Sequence, residues 1–193
     1  MSRPSSRAGD APLLAWGDAL RARKRRRIRV ARRLTFGAVG TAIVMATAAF
    51  PPAPRLVWNA SASAPIGLYA VDPGARFRPG DMVIAWTPAP FRALAADRRY
   101  IPSNVPLVKR VAAGPGDEIC ALGTQVFVNG RPSAHRRSVD DHGRSMPLWS
   151  GCQRLRDGQS LLLNDHPGSF DGRYFGPTND ADVIGKARRL WRW

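Results

Sequence analysis

The stretch from Val105 to Asp117, VPLVKRVAAGPGD, runs an extended apolar segment into a Gly-Pro-Gly turn. Aliphatic residues between a proline and turn-forming glycines predict a strand over Val105–Ala112. Side chains on a strand alternate faces, so Leu107, Lys109 and Val111 share one side and Val108 and Arg110 the other. If the first side is buried, desolvation disfavours the ammonium of Lys109 and lowers its pKa, which a lysine general base requires. If the strand lies at an edge, the lysine stem covers apolar surface while its head reaches water.

Working outward, the same pattern of short runs bounded by Pro, Gly and Asp recurs at Gly67–Val71, Asp81–Trp86, Gln125–Val128, Ser160–Leu163 and Val183–Leu190. Short strands with turn signals between them predict a mainly β, antiparallel domain. Asn129-Gly130 after Val128 is the strongest hairpin signal in the chain. Pro88 to Asp97 predicts a short helix, and Val139 to Trp149 a polar loop. No internal repeat is present.

The charge is front-loaded. The net charge is +16, but residues 1–33 hold eleven Arg and Lys against two Asp. What remains is a moderately basic surface without a dedicated stripe, and no specific nucleic-acid partner is expected. Residues 1–20 are polar and small and predict a disordered start. Nine basic residues then crowd Arg21 to Arg33, and Leu34 to Phe50 follows without a charge. Seventeen residues at about 1.5 Å rise are near the lower limit for crossing a hydrocarbon core of roughly 30 Å. The expectation is one transmembrane helix before the β domain. It gives a basic cytoplasmic segment over 1–33, an anchor over 34–54 and a periplasmic domain over 55–193, with the membrane as a partner. A cleaved signal peptide, suggested by Ala46, Ala48 and Ala49, is a competing reading. A buried core helix is another, though nine flanking charges argue against it. Pro51, Pro52 and Pro54 end the segment, which leaves the next stretch, Asn59 to Tyr69, close to the bilayer.

That stretch reads NASASAPIGLY. Ser63 is the candidate nucleophile, and a serine hydroxyl needs a base to take its proton. Of the thirty basic residues, three are lysine: Lys24, Lys109 and Lys186. Arginine cannot give up its proton in a protein, whereas a desolvated lysine can, so Lys109 is the candidate base. Taken alone, a serine among alanines and prolines is a loop residue, and the joint pattern is what favours chemistry. His135, His142 and His166 sit in turn-like polar context and are not needed beside such a pair. Neither a phosphate loop nor a cluster of metal ligands occurs in the sequence, so no cofactor is expected. Cys120 and Cys152 lack redox or zinc spacing. An even pair in an exported segment reads as a structural disulfide, and two buried thiols is the alternative.

Three ordered boxes carry a family resemblance. Ser61-Ala62-Ser63-Ala64-Pro65-Ile66-Gly67-Leu68-Tyr69, Lys109-Arg110-Val111 with Pro115-Gly116-Asp117, and Ser169-Phe170-Asp171-Gly172-Arg173-Tyr174-Phe175-Gly176 resemble the boxes of the Ser/Lys signal peptidase superfamily. The first box is closest to the superfamily's TraF-type conjugal-transfer branch. The resemblance implies a signal-peptidase-like catalytic β domain with Ser63 as nucleophile and Lys109 as base. It further implies an oxyanion hole built from the Ser61 hydroxyl and the Ser63 backbone N–H. Ser169 would orient the Lys109 amine, and Asp171 with Arg173 would form a supporting ion pair. Gly172 departs from the serine usual in the third box, and Ala64 from the methionine common after the nucleophile in general signal peptidases. The implied substrate is an exported precursor, in this branch a conjugative pilin precursor, which some members cyclise. A general signal peptidase acting on preproteins is the alternative enzyme, and a non-enzymatic membrane component of a transfer apparatus the alternative outside enzymology.

Overall fold

A computed structural model of the chain describes residues 11–50 and 52–191. Two compact units are present, Met1–Pro52 and Ala53–Trp193. Among its described residues the first holds one helix, α1 (Ala11–Ala49). The disordered start expected over residues 1–20 is therefore corrected from Ala11 onward, and residues 1–10 lie outside those described. Alanine, leucine and arginine, all strong helix formers, dominate Ala11 to Arg33 and extend the helix across what composition alone made a polar tail.

The expected transmembrane helix is also corrected. Among the described residues no helix is long and apolar enough to cross a membrane. The helix ends at Ala49, so its uncharged part begins at Leu34 and spans about 24 Å at 1.5 Å per residue, short of a core of roughly 30 Å.

The second unit is mainly β. Its elements are β1 (Leu56–Asn59), β2 (Gly67–Pro73), β3 (Met82–Ala85), α2 (Ala89–Asp97), β4 (Leu107–Ala113), β5 (Glu118–Leu122), β6 (Gln125–Val128), β7 (Arg131–His135), β8 (Gly151–Arg154), β9 (Gln159–Leu163), α3 (Gly172–Phe175), β10 (Thr178–Asn179) and β11 (Val183–Arg189). Seven strands form one sheet in the order β1-β2-β11-β3-β4-β9-β10, and four form a second in the order β7-β6-β5-β8. The paired strands are antiparallel throughout both sheets. The hairpin between β6 and β7 turns at Asn129 and Gly130, with φ of 49° and 73°, the left-handed pair that a tight hairpin turn requires.

Alternation along β4 sets the interior. Val108 joins Ala64, Tyr69, Val71 and Ile84 in one apolar cluster. Val111 joins Val83, Ala85 and Leu162 in another. A third cluster, with Ile119, Val126, Leu155 and Leu161, packs the second sheet. Lys109 lies on the Val111 side, directly across from Val83. Both faces of β4 are covered at this point, and Arg110 is its exposed residue, so the edge-strand alternative for Lys109 is set aside.

Candidate active site

Ser63 stands in the loop that joins β1 to β2. Asn59, buried at the end of β1, stitches this loop together: its Nδ2 donates to the carbonyls of Ser61, Ala64 and Pro65 at 2.9, 3.0 and 3.2 Å. Its Oδ1 accepts the N–H of Ser61 at 3.2 Å. Tyr69 adds a bond from its hydroxyl to the Pro65 carbonyl at 2.7 Å. Ala64 is buried in the same apolar cluster as Tyr69, Ile84 and Val108. Gly67 has φ +145°, and a Cβ there would sit 2.2 Å from the carbonyl oxygen of Trp191. The loop is thus fixed at both ends before any substrate binds.

Ser61 and Ser63 face each other. The Ser61 hydroxyl donates to Ser63 Oγ at 3.0 Å, and the Ser63 N–H donates to Ser61 Oγ at 3.2 Å. The two groups that the resemblance assigns to an oxyanion hole are neighbours, but in this form they bond each other. An incoming carbonyl oxygen has to take over those donors.

Lys109 is 2 % exposed. Its Nζ donates to Ser169 Oγ at 2.6 Å. Burial is the main reason its pKa falls from 10.5 to about 8; Asp171 pulls it up and Arg173 pushes it down, both by smaller amounts. Lys109 and Ser63 line the same cavity of about 420 Å³, together with Ser61, Val57, Tyr100, Leu107 and Phe170. Lys109 makes its hydrogen bond to Ser169 and none to Ser63 in this form.

Behind the amine lies a charged pair with nearly no exposure. Arg173 Nε donates to Asp171 Oδ1 at 2.8 Å and Nη2 to Oδ2 at 3.2 Å. The remaining guanidinium donors reach the carbonyls of His135, Pro167 and Asn164. A buried pair is tolerable only when its lone pairs and protons are satisfied in this way. Asp171 also caps α3 by accepting the N–H of Arg173. Gly172 is explained by space: a Cβ there would meet Leu161 Cδ1 at 2.8 Å and the Leu162 carbonyl at 2.9 Å.

Pro115, Gly116 and Asp117 form the turn after β4. Asp117 accepts the N–H of Gly114 at 2.8 Å and a proton of Asn129 Nδ2 at 2.8 Å. These bonds hold its carboxyl below the usual range. The turn therefore links β4 to the β6–β7 hairpin and lies away from the cavity lining. Cys120 and Cys152 oppose each other on β5 and β8 and are joined by a disulfide.

None of the three histidines lines the cavity that holds Ser63. His166 Nδ1 accepts the N–H of Gly168, and the His135 carbonyl receives Arg173. Sequence reasoning missed Asn59 and Asn164 as site residues. The only prior signal for Asn59 was an asparagine just before the serine run, a position suited to side-chain bonding with the following backbone.

Residues 27–193 match the sequence profile of the family described as signal peptidase, peptidase S26. The chain is 32% identical over 165 residues to the plasmid transfer protein TraF of Escherichia coli, which covers 80% of this chain and 92% of that protein. It is 30% identical over 143 residues to the conjugal transfer protein TraF of Agrobacterium fabrum, covering 69% and 80% respectively. Over a shorter region, 44% of this chain and 56% of the relative, it is 30% identical to signal peptidase I V of Bacillus subtilis. With the profile running through all three boxes and the TraF proteins matched over most of their length, this chain belongs to the S26 signal peptidase family, as a TraF-type member.

Proposed function

We propose that the chain is a serine endopeptidase with a Ser63/Lys109 dyad that processes an exported precursor, a conjugative pilin precursor first among the candidates. The observation that supports it most is that Lys109, whose buried amine has a pKa lowered to about 8, lines the same cavity as Ser63. A neutral amine at that place takes the Ser63 proton as Oγ adds to the substrate carbonyl carbon. The carbonyl oxygen gains the negative charge and rests on the Ser61 hydroxyl and the Ser63 N–H. Collapse breaks the peptide bond, and the Lys109 ammonium returns a proton to the leaving amine. Water, activated by the same amine, then cleaves the acyl-enzyme; the amino group of the product itself, attacking in place of water, would give a cyclic product.

Relatives named for plasmid and conjugal transfer support the pilin reading of the substrate. The Cys120–Cys152 disulfide supports a periplasmic site of action. The exposed apolar residues of α1 between Leu34 and Met45 support association with a membrane. The test is turnover of a purified precursor by Lys109→Arg, with folding checked by circular dichroism. Arginine keeps the charge and cannot accept the proton, so activity is lost; substantial residual activity would end the reading. In a deletion strain mature pilin should disappear while general export continues, and accumulation of bulk preproteins would instead favour a general signal peptidase.

A further inference from the structure

Strand β9 pairs with β4 at Arg110, Val111 and Ala113 through Leu163, Leu162 and Leu161. It stops at Leu163, so on that side the part of β4 carrying Lys109 has no strand beside it. The side chain of Asn164 takes the next place. Its Oδ1 accepts the Arg110 N–H at 3.2 Å, and its Nδ2 donates to the Val108 carbonyl at 2.9 Å. The carboxamide thus stands in for a peptide group and clamps the backbone immediately before and after Lys109. Backbone atoms of the same residue reach the charged pair. The Asn164 N–H donates to Asp171 Oδ2 at 3.1 Å, and its carbonyl accepts from Arg173 Nη2. The loop between these anchors carries Ser169, the hydrogen-bond partner of Lys109. Asn164 is 7% exposed, so water cannot readily replace these bonds.

We propose that Asn164 is a positioning residue of the reaction: it fixes the Lys109 backbone to the Asp171–Arg173 pair and so sets where the amine stands relative to Ser63 and Ser169. The residue type is specific to this role. Aspartate keeps the acceptor for Arg110 and loses the donor for Val108, serine is too short to reach both, and alanine has neither. The inference rests on the dyad reading above. The charged groups that act on the Lys109 amine are Asp171 and Arg173, and Asn164 is the residue bonded to both of them as well as to β4.

The experiment uses the full chain as wild type, Asn164→Ala, Asn164→Asp, Ser63→Ala and Lys109→Arg. Turnover is followed with a quenched fluorescent peptide bearing alanine immediately before the scissile bond. The lysine amine is followed by nitrogen NMR of lysine-labelled protein; with three lysines in the chain, the Lys109 signal is identified by its loss in Lys109→Arg. Asn164→Ala should lower kcat by about tenfold or more with KM within about twofold, because the amine is misplaced and the cavity is not. Its Lys109 titration should move by about half a pH unit or more. Asn164→Asp should move the titration upward, since a carboxylate beside the strand favours the ammonium, and should lose less activity than alanine. If Asn164→Ala does not fold, Asn164→Asp, with the same shape, decides by kcat alone, since its own charge moves the titration. A folded Asn164→Ala, or in its place a folded Asn164→Asp, with wild-type kcat overturns the proposal, whatever its titration or melting temperature. That failure stays distinct from failure of the dyad: in the first case Ser63→Ala and Lys109→Arg are still inactive, and in the second they are not.

Discussion

Lys109 Nζ donates a 2.6 Å hydrogen bond to Ser169 Oγ, joining positions sixty residues apart in the chain. The bond gives a buried amine one fixed partner. That partner is a neutral hydroxyl, which stabilises position without strongly stabilising charge.

The first prediction is a pH dependence. With the Lys109 pKa lowered to about 8 by burial, the neutral amine is the minority form below that value. Turnover should fall about tenfold per pH unit on the acid side and level off above it. A profile flat from pH 6 to about 9, in protein that is folded throughout, would contradict a lysine base.

A second prediction concerns stability. The folded-state pKa of Lys109 lies below its ordinary 10.5, so the folded form binds fewer protons between about 8 and 10.5. The penalty for burying the charge is fully present below about 8 and disappears as pH rises through 10.5. That penalty is about 3 kcal/mol, and a Ser169 hydroxyl left without its partner returns about 1 kcal/mol. Lys109→Met should therefore be inactive yet more stable near neutral pH by about 2 kcal/mol, as read by denaturant unfolding. A less stable Lys109→Met would show that the site does not carry this cost.

Restoring the serine usual in the third box should harm this chain. Gly172→Ser places a Cβ within 3 Å of Leu161 Cδ1 and the Leu162 carbonyl, and the backbone oxygen cannot yield as a side chain can. The expected loss is about 1–3 kcal/mol. Thermal unfolding measures it, and a neutral result would mean that α3 shifts freely over β9.

The disulfide is the fourth. It closes a loop of 32 residues between β5 and β8, for which chain-entropy arguments give about 3–4 kcal/mol. Intact mass with alkylation should show both thiols blocked in exported protein until reduction. The double Cys120→Ser, Cys152→Ser variant should unfold at lower denaturant and lose the β8 edge first, as amide exchange would report.

Sequence patterning exposed the strands that are buried on at least one face. β2, β4 and β11 carry alternating or continuous apolar residues, and each was legible at nearly its observed bounds. β8 is exposed at all four residues and reads simply as polar chain. β7 contains Pro132 and meets β6 at a register shift, which hides it from any period-two pattern. β1 is an edge strand with Leu56 and Trp58 turned to solvent. Within the site, the boxes pointed to Ser63, Lys109, Ser169, Asp171 and Arg173, and the structure places the last four as two bonded pairs, Lys109 with Ser169 and Arg173 with Asp171, whose charges act on the Lys109 amine. Asn59 had only the weak signal of an asparagine ahead of a loop, and Asn164 had none, because an amide takes its role from whichever backbone groups the fold leaves unpaired.

Strand β11 lies between β2 and β3 in the sheet, although it is made after every other element of that sheet. The hairpin with Ser63 is on one side of it, and the strand with Lys109 is on the other. Within this sheet the half that holds Ser63 and the half that holds Lys109 therefore meet only through the last strand of the chain, and the register of β11 against β2 and β3 sets the spacing between them.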